Sequence, residues 1–575
     1  MHVISRVVNS FGRNVTRRSS GVLFNSKCFS NTTFNQDEQF IKSPLGDVEI
    51  PNVNLAEYLL NHIGKFPTKI ATQCSFTERK YTYDNLLMKS SNLSKSLRKK
   101  LNLQKGDVVA ILLPNIPEFP ICILGPLLAG LKITTINPSY TSEEIKRQLN
   151  DSNAKVLFTL VDFWGKAQEA VKKSLSNIKI ITIKTKQNQS TPSGSINFQE
   201  FTTEKCDLPE IILSSPDETV FMPYSSGTTG LPKGVELSSK NIISNICQFN
   251  HPELCISQIA TENHQDISPQ LLPLFHIYGF ATTLSMLTYG VKIITLPKFE
   301  RDNYLKVLSQ EKPHFMVVVP PIVIFLYASP EVKPIDLSSL RTISCGAAPL
   351  GALDEEKFRK KIGRPINVLQ GYGLSETSPV VTMVPIQLQG KYPGSMGIPV
   401  PNTQIKVVSP DDKKGNHLKP NEIGEIYVKG PQVMKGYHNN PEESEKSFHD
   451  GWFKTGDLVK YNENGMFYIC DRLKELIKVR GFQVPPAELE EIIRDFPGVV
   501  EAAVIGIPDE YNGELPKAFV VKKKEANVDV EKLQEFVASK VARHKHLKGG
   551  VVFVESIPKN DSGKILRRKL KELYL

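Results

Sequence analysis

The sequence predicts an α/β protein: a large, multi-subdomain N-terminal domain with mostly parallel sheets, followed by a small α+β C-terminal domain. Three observations carry this. A chain of 575 residues is too long for one small core. Short β-rich runs alternate with helical patterns over much of its length, the order that builds parallel sheets. Composition then shifts near residue 471, where the charged run Asp471–Lys478 begins a last compact stretch. We divide the chain into 1–36, 37–470 and 471–575.

In chain order, Val108–Leu113 reads as a strand, Thr141–Asn150 as a helix, and Lys155–Leu160 and Lys179–Ile183 as strands. Thr219–Tyr224 is strand-like. Ser238 or Ser239 can cap a helix running through Asn250. Lys292–Leu296 and His314–Val319 follow as strands. Residues 185–195 and 409–421 are polar loops. In the last segment, Pro486–Asp495 reads as a helix, Val500–Gly506 and Lys517–Lys522 as strands, and Asp529–Ala542 as a helix. The most apolar stretches, Ile121–Leu131 and Phe315–Tyr327, are short and carry prolines, so they predict buried core and no transmembrane segment.

The formal charge is +11. Residues 1–36 hold Arg6, Arg13, Arg17, Arg18 and Lys27, and no acid precedes Asp37. Arg-rich, Ser-rich and acid-poor is the composition of a mitochondrial transit segment, and a disordered basic tail is the other reading. Elsewhere bases and acids are interspersed, which excludes a nucleic-acid patch and suits anionic small molecules. Eight cysteines lie scattered without a Cys-x-x-Cys pair, so neither a zinc site nor a disulfide framework is expected.

The loop after Thr219–Tyr224 reads Ser225, Ser226, Gly227, Thr228, Thr229, Gly230, Leu231, Pro232, Lys233, Gly234. Glycines let backbone amides approach an anion, hydroxyls add donors, and a lysine adds charge, which is the chemistry of a phosphate cradle. It is not a Walker loop, because Lys233 is followed by glycine. The string resembles the AMP-binding signature of the adenylate-forming superfamily, which includes acyl-CoA synthetases, luciferases and peptide-synthetase adenylation domains.

Further motifs resemble that superfamily's others, in the same order. Gly346, Ala347 and Ala348 resemble an adenine-lining segment. The string Gln370, Gly371, Tyr372, Gly373, Leu374, Ser375, Glu376 resembles the next signature, which implies that Tyr372 stacks on adenine and Glu376 binds Mg²⁺. Asp457, in Trp452–Asp457, and Arg472 match a ribose-binding pair. His276, in Pro273–Gly279, matches the family's residue at the acyl-pocket mouth. Lys564, in the string from Pro558 to Arg568, matches the lysine that offsets charge during adenylation. Lys474 stands at the hinge position, and Lys478 and Gln483 match the face serving the thioester step.

Within the superfamily, Phe275–Tyr278, Gln370–Gly373 and Leu476–Ala487 resemble 4-coumarate–CoA ligases and their luciferase and acyl-CoA relatives. Tyr278, Thr282, Pro379 and Val380 are then expected to line an apolar acyl pocket for an aryl or medium-chain fatty acid. One box differs: Gly424–Gly430 reads Gly-Glu-Ile-Tyr-Val-Lys-Gly, where plant coumarate ligases have Gly-Glu-Ile-Cys-Ile-Arg-Gly. The resemblance implies ATP, Mg²⁺ and coenzyme A as cofactor and co-substrates, a mobile C-terminal domain, and no carrier domain in cis. A luciferase-like oxygenase and a non-catalytic AMP-binding protein remain as the other readings.

Overall fold

A computed structural model describes residues 39–575, apart from 78, 204–213, 226–231, 474, 481, 525, 561, 562, 575 and the side chain of 483. The expected leader, residues 1–36, lies outside the described residues.

Val108–Leu112, Ala154–Leu160 and Lys179–Ile183 run parallel, and Lys132–Thr135 and Thr219–Ser225 continue the sheet on the other side. Lys233–Ser238 adds antiparallel, and the two-residue strand Gly436–Tyr437 lies beyond it at the edge. Val108–Leu112 is apolar at every position because it is buried on both faces. Val109 and Ile111 enter one core, while Val108, Ala110 and Leu112 enter another. Two further sheets share the larger core. One carries Ile267–Gln270, Lys292–Thr295 and Ile70–Cys74; the other carries Phe315–Val318, Thr342–Cys345 and Asn367–Gly373.

One large part departs from the parallel expectation. Gln404–Val408, Gly424–Lys429, Trp452–Tyr461 and Phe467–Arg472 form successive antiparallel pairs. The polar loop at 409–421 connects the first two of these neighbours, a link that antiparallel pairing permits.

The chain leaves this sheet at Arg472 and enters a separate one at Ile477. There Val484, Leu489, Val504, Val520 and Leu533 make an independent core. Its central hairpin, Val499–Asp509 with Gly513–Lys522, extends further than the sequence predicts. Pro508, Gly506 and Pro516 interrupt the apolar pattern there, although the register continues to Asp509 opposite Gly513.

Helix starts follow capping chemistry. Thr141 and Glu144 form a capping box, so that helix runs Ser142–Asp151. Ser238 caps Ser239–Phe249 in the same way with Asn241. Helix Phe119–Leu128 is buried along its whole length, as its apolar sequence requires. Among the described residues no helix is long and apolar enough to cross a membrane, and the six described cysteines are free.

Candidate active site

Ser225 and Lys233 are register partners on the two strands that bracket the Gly- and hydroxyl-rich loop. Ser226, Gly227, Thr228, Thr229 and Gly230 lie outside the described residues. The Ser225 hydroxyl donates to Glu376 Oε1 at 3.0 Å, and the Tyr437 hydroxyl donates to the same oxygen at 3.0 Å. Lys233 pairs with Glu443, its ammonium 5.0 Å above the Tyr437 ring.

Strand Asn367–Gly373 delivers Gln370 and Tyr372. Gln370 spends its side-chain amide on the backbone of Leu350, accepting at 2.9 Å and donating at 3.0 Å. It therefore pins the segment bearing Gly346, Ala347 and Ala348. The Tyr278 ring lies against Gly346: a Cβ there would stand 3.1 Å from it. Ala347 adopts a left-handed φ of 67° and is exposed. Gly371 pairs in register with Met383. Gly373 must be glycine, because a Cβ would come within 2.0 Å of the Pro379 carbonyl oxygen. Ser375 and Glu376 then form a buried turn.

The Tyr372 hydroxyl donates to Asp457 Oδ2 at 2.7 Å, and Arg472 Nε meets Oδ1 at 3.0 Å. Asp457 and Arg472 face each other across an antiparallel pair, so sheet register alone assembles this ion pair. Glu425, in the divergent box, accepts from Gly456 N at 2.9 Å and holds the turn before Asp457.

His276 caps helix Ile277–Thr288, its Nδ1 accepting from Tyr278 N at 3.3 Å. An accepting Nδ1 places the proton on Nε2 of a neutral ring. Burial, and then the nearby Lys564 ammonium, lower the His276 pKa to about 4. Lys564 follows Gly563, whose φ of 81° suits glycine, and its amide donates to Asn560 Oδ1 at 2.8 Å. Burial and the Arg472 guanidinium push its pKa down to about 8, against the pull of Glu475 and Asp457. The structure thus brings Lys564 to His276, Asp457 and Arg472.

Around Lys564 the C-terminal unit is braced from within. Arg567 pairs with Glu475, and with both oxygens of Glu490 at 2.7 and 2.8 Å. Asp471 accepts from Ala487 N at 3.0 Å, and burial raises its pKa to about 6. Lys478 is exposed, its backbone paired with that of Gln483; the side chain of Gln483 and all of Lys474 lie outside the described residues.

On the acyl side, Thr282 Oγ1 donates to the Tyr278 carbonyl at 2.7 Å. Pro379 is buried. Val380 is clamped by Asn245, donating to Oδ1 at 2.9 Å and accepting from Nδ2 at 2.8 Å. Asn245 and Tyr437 lie outside the motif strings, and Glu425 and Arg567 lie inside them without an assigned role. Their polar character inside otherwise apolar or turn-like strings was the available signal.

Two family patterns match the chain. The AMP-binding enzyme pattern covers residues 59–438, and the AMP-binding enzyme C-terminal domain covers 488–564. The chain belongs to the AMP-binding enzyme family. Among its relatives, 4-coumarate–CoA ligase 1 of Arabidopsis thaliana is 37% identical over 555 residues, covering 93% of this chain and 96% of the relative. The probable 4-coumarate–CoA ligase 1 of Dictyostelium discoideum is 35% identical, covering 93% and 98%. Among solved structures, ATP-bound MatB from Rhodopseudomonas palustris superposes with a TM-score of 0.81 at 29% identity, covering 91% of this chain and 99% of that one. The o-succinylbenzoate CoA synthetase of Bacillus subtilis, solved with its acyl-adenylate, reaches 0.75 at 29% identity, covering 89% and 97%. Asp457 and Arg472, with Lys564 beside them, lie within the chain matched to this family or just beyond the matched segments.

Proposed function

We propose that the protein is an ATP-dependent acid–CoA ligase. A carboxylate attacks the α-phosphorus of ATP, giving acyl-AMP and pyrophosphate. The CoA thiol, losing its proton, then attacks the acyl carbon, giving acyl-CoA and AMP. The observation that carries this reading is the gathering of Lys564, His276, Asp457 and Arg472 from distant parts of the chain.

Each residue has work suited to its state. A charged Lys564 offsets negative charge as carboxylate meets phosphate. Neutral His276 accepts an anionic substrate without holding it as an ion pair. Asp457 is placed to accept from ribose hydroxyls while Arg472 and Tyr372 fix its rotation. No covalent enzyme nucleophile is needed, so catalysis is positioning and electrostatics.

Glu376 suits a divalent cation. Its Oε1 accepts from two neutral hydroxyls, Ser225 and Tyr437, and carboxylate oxygen is the donor that Mg²⁺ prefers. When bound, Mg²⁺ would offset charge on the phosphates.

Lys564 is buried near Arg472 and Asp457 while Lys478 is exposed. This supports an adenylation arrangement, with a rotation of residues 471–575 presenting Lys478 and Gln483 for thioester formation. Tyr278, Thr282, Pro379 and Val380 suit an aryl or medium-chain acid.

The test is AMP release with ATP, CoA and a panel of aryl and medium-chain acids. CoA-dependent AMP release with at least one acid is expected. Light or a decarboxylated product would favour the oxygenase, and no turnover on the whole panel would favour a binding protein. For residues 1–36 we propose mitochondrial targeting; an unchanged location on their removal would refute it.

A further inference from the structure

The segment from Gly436 to Lys446 is absent from every motif used above, yet it makes a dense set of contacts to the strand Lys233–Ser238, which leaves the Gly- and hydroxyl-rich loop. Its strand pairs with the loop's exit strand, Val235 opposite Tyr437 and Glu236 opposite Gly436. His438 N donates to the Gly234 carbonyl at 2.8 Å, and its ring meets Glu236 at 2.7 Å. Asn440 caps the following helix, Pro441–Lys446, and this helix carries Glu443, the partner of Lys233. Just upstream, Met434 N donates to the Glu376 carbonyl at 2.8 Å, and Asn241 holds Pro431 and Val433 by their carbonyls.

Tyr437 sits at the centre. Its hydroxyl reaches Glu376 Oε1, which also accepts from Ser225; its ring lies under Lys233. Two donors on one oxygen fix the rotation of a carboxylate. Among the described residues, no hydrogen bond to Oε2 accompanies them. The aromatic face under the ammonium adds to the direction that the Glu443 ion pair gives Lys233.

We infer that Tyr437 is a positioning residue for the adenylation step: its hydroxyl aims the Glu376 carboxylate at the divalent cation that accompanies ATP, and its ring aims Lys233 at the phosphates. The inference rests on the reading of Glu376 as the cation's ligand. Tyr437 acts through Glu376 and Lys233, so its two parts separate by mutation. Y437F keeps the ring and removes the hydroxyl. Y437L removes both.

The experiment titrates Mn²⁺ into the full chain with a non-hydrolysable ATP analogue and follows free Mn²⁺ by electron paramagnetic resonance. A second measurement follows analogue affinity in EDTA. Y437F should weaken Mn²⁺ binding about 10- to 100-fold, the scale of one hydrogen bond to a charged group, and leave affinity in EDTA within about twofold of the parent. Y437L should weaken both. S225A, which removes the other donor to Oε1, should weaken Mn²⁺ binding to a similar degree and keeps the question decidable if a Tyr437 variant does not fold. Unchanged Mn²⁺ binding in Y437F, or in S225A where Y437F does not fold, overturns the inference. If the parent with analogue binds no Mn²⁺, or E376Q binds it as well as the parent does, the assignment of Glu376 falls first, and this inference with it.

Discussion

Lys564 lies near enough to His276 for its charge to depress the imidazole's pKa, although 288 positions separate them in the chain. Burial depresses both groups, so one is a neutral ring and the other a cation that titrates near pH 8.

Acyl-adenylate formation should therefore decline as pH rises through about 8, because deprotonation removes the charge that Lys564 supplies. His276, lowered to about 4, contributes no change between pH 6 and 8. Pyrophosphate release measured against pH reads this directly. K564R should retain part of the rate and lose the alkaline decline, since guanidinium stays charged there. A decline at the same pH in K564R would assign it to another group.

Adenylation and thioester formation should part company in K564A. The first should fall by a factor of about 100 or more, as for loss of a transition-state donor. The second, started from supplied acyl-AMP, should change far less. K478A should show the opposite pattern. Equal loss in both half-reactions of K564A would refute the division of labour.

Asn245 should govern the acyl pocket from behind. N245A strips both hydrogen bonds from the Val380 backbone. Unpaired buried groups cost about 1–3 kcal/mol each, so a lower Tm is expected together with altered selectivity across the acid panel. An unchanged ranking of acids would leave Asn245 with a purely structural role.

Replacing Arg567 by methionine should destabilise the C-terminal unit by about 3–5 kcal/mol, because Glu475 and Glu490 are left facing each other without a counter-charge. Limited proteolysis should then cut within residues 473–575 sooner than in the parent. Equal protection would show that the apolar core around Val504 and Leu533 suffices.

Much of this architecture is legible in the chain. Lys179–Ile183 is a strand with the bounds its β-branched run predicts, and Thr141 and Ser238 mark helix starts through local capping. Those signals involve neighbours within four residues. The antiparallel sheet around Asp457 was less visible, because its hairpins and its long loop at 409–421 blur the alternation. Its register nonetheless sets the Asp457–Arg472 pair.

The sequence by itself determined the family, the order of its motifs and the candidate residues for nucleotide chemistry, because those strings are contiguous and their side chains have few other uses in that order. Tertiary structure alone decided which partners those residues have. Tyr437 reaches Glu376 across 61 positions, Asn245 reaches Val380 across 135, and Arg567 reaches Glu490 across 77. It also decided that His276 is neutral and Lys564 a weakened cation. Protonation depends on burial and on nearby charge, and both are fixed only once distant segments have packed together.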